Sequence, residues 1–355
     1  MAKLGDYVKI RTGKLDANAS SESGQYPFFT CAIEPLKIDS YSYDCECVLV
    51  AGNGDLNVKY YSGKFDAYQR TYIIESMDKT FLDVQYLYFF MDKYLETLRS
   101  QSIGGVIKYI KLGNLTEADI FIPSIERQRK IVQILRKSRK LISLRKQQLA
   151  KLDELVKARF VEMFGDPSNN PMGWKKQNFE DIALLITDGE HMTPQRTNKG
   201  IYLLSARNIL NHTIQLDDVD YIDEEEYGRI ARRIVPQQGD VLVSCSGSIG
   251  RCCVVPSELK FQMVRSVALI RFNNTINPIF AEWLIATDEL QKQIYTSATQ
   301  SSQANLFQGK IRKLCGYVPP LSLQNQFAAF VERVDKQKQT VQQSLEKLEL
   351  LKKAL

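Results

Sequence analysis

The sequence predicts an α+β protein: two similar mixed α/β domains separated by two long α-helices that pair as an antiparallel coiled coil, a pseudo-twofold internal repeat. Three observations predict this. The segment IPSIERQRKIVQILRKSRKLISLRKQQLAKLDELVKARF, residues 122–160, returns in the same style as VPPLSLQNQFAAFVERVDKQKQTVQQSLEKLELLKKAL, residues 318–355. Each copy carries apolar residues at every seventh position. The order strand, glycine-rich turn, strand, helix precedes each copy once.

An offset of 196 positions lays the second copy on the first without a gap. Pro123 then meets Pro319, Gln128 meets Gln324, Lys140 meets Lys336 and Gln147 meets Gln343, while Leu149, Leu152 and Leu155 meet Leu345, Leu348 and Leu351. The period is far longer than the roughly 20 to 50 residues of a solenoid unit. Each unit is therefore a globular segment followed by a long helix. The expected segments are a first domain over 1–121, a helix over 122–164, a second domain over 165–317 and a closing helix over 318–355.

In the first helix Leu135, Ile142, Leu149, Val156 and Met163 recur with coiled-coil spacing, and Leu141, Leu152 and Leu155 widen the stripe. In the second, Val334, Val341, Leu348 and Leu355 keep the same period beside Leu345 and Leu351. Two apolar seams in one chain are buried most simply against each other. At about 1.5 Å rise per residue each helix would reach roughly 60 Å, a stiff spacer. Pro123 and Pro319 sit where helices begin, and the prolines and glycines of FGDPSNNPMGW (164–174) end the first one.

The globular segments rhyme. CVLVAGNGD (47–55) and VLVSCSGSIG (241–250) are β-branched runs entering glycine turns, with YIIES and VALIRF as the strands that follow. LDVQYLYFFMDKYLETLRS and PIFAEWLIATDELQKQIYTS each predict an amphipathic helix. The openings LGDYVKIRTG and FEDIALLITDG also correspond. The helices have diverged less than the domains, as expected if the helices share one task and the domains perform different versions of another.

Composition narrows the function. The apolar content of 44% is ordinary for a globular protein. No run approaches the roughly 18 apolar residues of a membrane span, and the N-terminus lacks the apolar core of a signal peptide, so a cytoplasmic protein without a membrane partner is expected. Seven cysteines without a C-x-x-C pair argue for buried reduced thiols rather than a disulfide frame or a zinc site. The net charge of +6 is uneven: −3 over 1–120, +8 over 121–164, −1 over 165–317 and +2 over 318–355. Such an excess on the first helix suits attraction to a polyanion, with Arg136, Arg139 and Lys146 as the expected phosphate contacts.

Catalytic patterns are lacking. There is no G-x-x-x-x-G-K-[ST] loop for nucleotide phosphates and no Asn/Asp-Pro-Pro-aromatic tetrapeptide for amine methylation. Asp240, Glu258 and Lys260 form the one loose nuclease-like triplet, and QQGD around Asp240 reads better as a turn. Neither histidine has a serine or cysteine nucleophile beside it. The sequence therefore favours a binding protein without a metal of its own.

Loops rich in amides, hydroxyls and cations are what nucleic-acid readers need. TDGEHMTPQRTNKG (187–200) offers His191, Thr193 and Arg196, and Arg207, Ser246, Ser248, Arg251, Arg265 and Gln303 complete the second domain's candidates. In the first domain Lys14, Tyr26, Asn53, Lys59, Lys64, Tyr68 and Arg70 interleave aromatics with amides and cations.

At this point the whole chain resembles the specificity subunits of type I restriction-modification systems. The resemblance rests on two variable domains alternating with two similar helices, on IPSIERQRKIVQIL and VPPLSLQNQFAAFV as helix openings, on MFGDP after the first helix, and on TDGEHMTP with GSIG in the second domain. It implies a chain without catalytic residues whose domains each read one half of a bipartite double-stranded DNA target. It further implies two modification (methyltransferase) subunits and restriction subunits as partners, with S-adenosylmethionine, ATP and Mg2+ held by those partners and none by this chain. The competing expectation from the residues is a duplicated coiled-coil scaffold that never touches DNA.

Overall fold

The computed structural model describes residues 2–298 and 305–354; Gln303 and Leu355 lie outside them. The chain divides into two compact units, Met1–Arg145 with Ser344–Leu355, and Lys146–Gln343.

The first unit opens with β1 (Val8–Thr12), β2 (Tyr26–Phe29), β3 (Leu36–Ile38), β4 (Tyr43–Ala51), β5 (Val58–Ala67) and β6 (Thr71–Ser76). They form one six-stranded sheet in the order β1-β6-β4-β5-β2-β3, antiparallel except where β2 runs parallel to β5. Side chains of a strand alternate between its two faces, and both faces here are apolar. Cys47 and Leu49 join Phe29, Phe65 and Ile73 on one face. Val48, Val50 and Ile74 join Leu87, Met91 and Leu98 of the helix α1 (Val84–Gln101) on the other. This explains the unbroken CVLVA run, because a strand covered on both sides cannot alternate with polar residues. Burying each such side chain stabilises the fold by about 1.5–3 kcal/mol. Just past β1, Leu15 bridges Tyr68 at the end of β5. A short α2 (Leu112–Thr116) leads to the long α3 (Ile125–Phe164).

The second unit repeats the design. Beyond α3 come β7 (Ala183–Asp188), β8 (Ile201–Leu204), β9 (Asp220–Ile222), α4 (Glu224–Ala231), β10 (Val241–Ser244), β11 (Cys252–Val254), β12 (Phe261–Met263) and β13 (Val267–Phe272). One sheet has the order β7-β13-β10-β11 and a smaller one β9-β8-β12. Val241, Val243, Ala268 and Ile270 face a helical cluster, whereas Leu242, Val267 and Leu269 face strands. The predicted single helix over 278–297 is two, α5 (Pro278–Ile285) and α6 (Asp288–Ala298), separated at Ala286 and Thr287. Then follow α7 (Gln308–Arg312) and the closing α8 (Leu321–Ala354).

Within this unit α3 and α8 pack antiparallel. Lys338 meets Asp153 at 2.6 Å, and the Phe164 ring meets Phe327 at 5.5 Å. Eleven residues forward along α3 thus correspond to eleven residues back along α8. Val156, Phe160, Val331 and Val334 fill the seam with these rings, and Leu152 is partly buried against it. Gly165 ends α3 with φ +80°, its N–H donating to Val161 O at 2.8 Å, while Trp174 Nε1 donates to Phe164 O. The MFGDP break is thus a left-handed helix stop, a conformation that suits glycine.

Other heptad positions diverge from the expected seam. Leu135 is buried, but against Phe89 of α1 together with Val132. Val341 and Leu345 are buried, whereas Ile142, Leu149 and Leu348 are half-buried. Leu141, Leu155 and Leu351, expected to widen the stripe, are exposed. A strict seven-residue seam is narrow, and positions beside it face solvent.

The cysteines are free, with Cys47, Cys245, Cys252 and Cys253 buried. Burial pushes the Cys245 thiol up to about 12. No helix among the described residues is long and apolar enough to cross a membrane.

Candidate nucleic-acid interface

Each unit presents a loop-built rim, and the two rims share one backbone frame. In the first, Gly13 N donates to Thr71 O at 3.1 Å, and a Cβ on Gly13 would stand 2.1 Å from Ala67 O. In the second, Gly189 N donates to Val267 O at 3.0 Å, and a Cβ there would stand 2.2 Å from Met263 O. Thr71 and Ala67 correspond to Val267 and Met263 at the same 196-residue offset that relates the helices. Only glycine fits where the chain passes this close to a strand's carbonyls. The glycine turns match too. Asn53 bridges Tyr109 and Ile110 N donates to Gly52 O at 2.9 Å, just as Ser246 bridges Asn305 and Leu306 N donates to Cys245 O at 2.9 Å.

On the first rim the frame gathers Lys14, Asn53, Lys59, Tyr68 and Arg70. Lys14 follows Gly13, Tyr68 bridges Leu15, and Arg70 O accepts from Gly52 N at 2.8 Å. Cys31 ties in, its thiol donating to Arg70 O and its carbonyl accepting from Asn57 Nδ2 at 2.8 Å. Lys59 donates to Asn57 Oδ1, and burial lowers its pKa. Tyr26 and Lys64 are not part of this group. They meet at Tyr41, with the Tyr26 ring 4.9 Å away and the Lys64 ammonium 4.6 Å above it.

On the second rim the loop over residues 187–200 is braced by residues outside the sequence-predicted set. His191 Nε2 lies 3.0 Å from Asp188, whose other oxygen meets Arg233 at 2.7 Å. Arg233 also donates to Gly189 O at 2.7 Å, and Gln308 of α7 donates to Asp188. Burial pushes the Asp188 carboxyl up, but the hydrogen bonds from His191, Arg233 and Gln308 outweigh it and hold the pKa below the usual carboxylate value. Glu190 is buried, accepts from Met192 N at 2.8 Å, and its carbonyl accepts from Arg265 N at 3.0 Å. Backbone bonds thus hold Arg265 beside the His191 loop, and Cys245, the neighbour of Ser246, donates its N–H to Ser266 O at 2.8 Å. Thr193 and Ser248 are exposed and Arg251 is half-buried behind the turn, its N–H held by Ser244 Oγ at 3.0 Å.

Arg196 and Arg207 are occupied differently. Both contact Asp220 at 3.0 Å, so they clamp the edge of β9. The second histidine, His212, stacks on Trp283 with ring centres 4.0 Å apart. Asp240 is buried and held by two 2.7 Å contacts from Arg271, and Lys260 pairs with Glu224. The nuclease-like triplet therefore does not assemble. Arg139, expected to meet phosphate, is likewise engaged, paired with Asp92 at 2.5 Å and stacked over Phe89.

Comparison with known proteins places this frame. The type I restriction modification DNA specificity domain matches the chain twice, over residues 1–154 and 171–350. The chain belongs to this family. Its two specificity domains thus each include a rim and most of a long helix. The EcoDI specificity subunit of Escherichia coli, a type I restriction enzyme subunit, is 36% identical over 179 residues, a stretch covering 50% of this chain and 39% of that relative. A putative type I specificity subunit of Haemophilus influenzae is 20% identical over 334 residues, covering 88% of this chain and 81% of the relative. The fold of this specificity-domain chain is also that of the S subunit from M. genitalium, with a TM-score of 0.68 at 15% identity over 99% of this chain and 93% of the other. A structure from a type I system's complex assembly gives a TM-score of 0.58 at 14% identity, covering 99% and 95%.

Proposed function

We propose that this chain is the DNA-reading subunit of a type I restriction-modification complex, each rim reading one half of a bipartite duplex target. The observation that carries the proposal is the repeated frame: two rims with the same backbone anchors present different side chains, Lys14, Tyr68 and Arg70 against His191, Arg265 and Ser246. A shared scaffold with divergent loops is what two different short sequences require, because base edges are told apart by side-chain hydrogen bonds and apolar contacts. Helix length would govern the gap between the half-sites, whose bases go unread.

Chemistry then belongs to partners. Two modification subunits carry S-adenosylmethionine and methylate the target, and restriction subunits carry ATP and Mg2+. The complex acts in the cytoplasm. This chain supplies the address, and its basic first helix adds phosphate attraction through cations such as Arg136, which is exposed. The scaffold reading, in which no DNA is bound, gains nothing from two domains matching a DNA specificity family. The test is selection from random duplexes by the purified complex with its modification subunits. The expected result is two short motifs separated by a gap of fixed length. A single contiguous motif, or none, overturns the proposal.

A further inference from the structure

The first rim carries an apolar element that hydrogen-bonding readout does not use. Residues 103–109 form a tight hairpin: Ile103 N donates to Tyr109 O at 3.0 Å and Tyr109 N returns the bond to Ile103 O at 2.9 Å. Gly104 closes it with φ +114°, where a Cβ would stand 2.5 Å from Ile107 O. At the tip Val106 is fully exposed and Ile107 is 61% exposed, with Ile103 exposed below them. Single exposed aliphatics are ordinary, but a group of them on a built protrusion marks a contact surface. The hairpin is bound to the rim through Asn53, which bridges Tyr109, and through Gly54 N, which donates to Lys108 O at 2.9 Å. Exposed Lys108 and Lys111 flank the tip. At the corresponding 196-residue offset the second domain carries the polar sequence QSSQAN (300–305) instead.

We propose that the hairpin inserts Val106 and Ile107 against base edges of the first half-site and recognises the C5 methyl group of thymine. The inference rests on the DNA-reading function proposed above and names the means used by one domain. Two aliphatic side chains have no hydrogen bond to offer. The apolar feature that a duplex displays in its major groove is the thymine methyl. The flanking lysines complement the phosphates on either side and argue for DNA rather than a protein groove as the occupant. Continuity with Lys14, Asn53 and Arg70 places the tip beside the other readers.

The test uses the whole complex with its modification subunits and the target it selects. Each thymine of the first half-site is replaced in turn by deoxyuridine, which removes the methyl group and leaves the pairing unchanged. Losing one methyl contact should weaken wild-type binding roughly fourfold. A Val106→Ser/Ile107→Ser complex should bind thymine and uracil duplexes alike while keeping its discrimination at the second half-site. Equal binding of both duplexes by the wild type at every position overturns the inference, as does unaltered discrimination by the variant. So does crosslinking of the tip to a modification subunit or to a second copy of this chain instead of DNA. A wild-type complex that selects no target at all would instead overturn the DNA-reading function, which makes the two failures distinguishable.

Discussion

Gln324, fully buried near the start of α8, accepts a hydrogen bond from the backbone N–H of Asn277 at 2.8 Å, and Asn277 is the residue that caps α5. Its amide donates to Pro319 O at 2.8 Å and Thr275 O at 3.1 Å. Gln128 repeats this in the first unit, accepting from Asp83 N at 2.9 Å and donating to Phe81 O and Pro123 O. Asp83 caps α1 in the same way. One amide therefore fixes where each long helix leaves its domain. Alanine at either position orphans buried backbone groups at about 1–3 kcal/mol each. Gln128→Ala and Gln324→Ala should each lower the Tm clearly, measured by differential scanning calorimetry, and a surface Gln→Ala such as Gln133→Ala should not.

Arg139 and Arg136 should part company on substitution. Arg139 is paired with Asp92 and stacked on Phe89, whereas Arg136 is exposed on the same helix. Arg139→Glu places two carboxylates together and should lower the Tm. Arg136→Glu should leave the Tm in place and reduce the slope of log K against log salt by about one phosphate contact. An unaltered slope would remove Arg136 from the DNA path.

Asp240 has a structural duty. Breaking its pair with Arg271 should cost about 3–5 kcal/mol, nearer the lower figure because a quarter of the arginine side chain is exposed. Denaturant unfolding of Asp240→Ala measures this. Magnesium-dependent cutting of DNA by the isolated wild-type chain would contradict the assignment of Asp240 as a structural residue.

The second rim should weaken in acid. Asp188 has a lowered pKa in the folded chain, so its contribution is present above the ordinary carboxylate value of about 3.9 and is lost as pH falls through the folded value. The Tm advantage of wild type over Asp188→Asn should therefore begin to fall near about pH 4 and vanish in stronger acid, below the folded value. An advantage that does not decline at all as pH falls below about 4 would show that Asp188 does not act as a carboxylate.

Patterns with a fixed period were legible in the sequence. The 196-residue offset, the helix starts near Pro123 and Pro319 and the CVLVA strand follow from the residue pattern, whereas the burial of both faces of that strand is visible only in the structure. Gln128 and Gln324 stood out as a repeated pair, but their task depends on the caps at Asp83 and Asn277, which no local pattern names. Arg233 was missed because it lies over forty residues from the loop it braces. Arg196 and Arg207 looked like free cations until β9 brought Asp220 between them. The interruption at Ala286 and Thr287 hid within a helical period, since Thr287 Oγ1 donating to Leu284 O at 2.6 Å is a local stop without proline or glycine.

On the DNA-reading function proposed above, helix length governs the gap between the two half-sites. Inserting one heptad after Gln147 and another after Gln343 lengthens each helix by about 10 Å, roughly three base pairs of duplex. Target selection by the modified complex should return the same two half-sites with a gap about three base pairs longer. The same half-sites at the original gap would contradict the account.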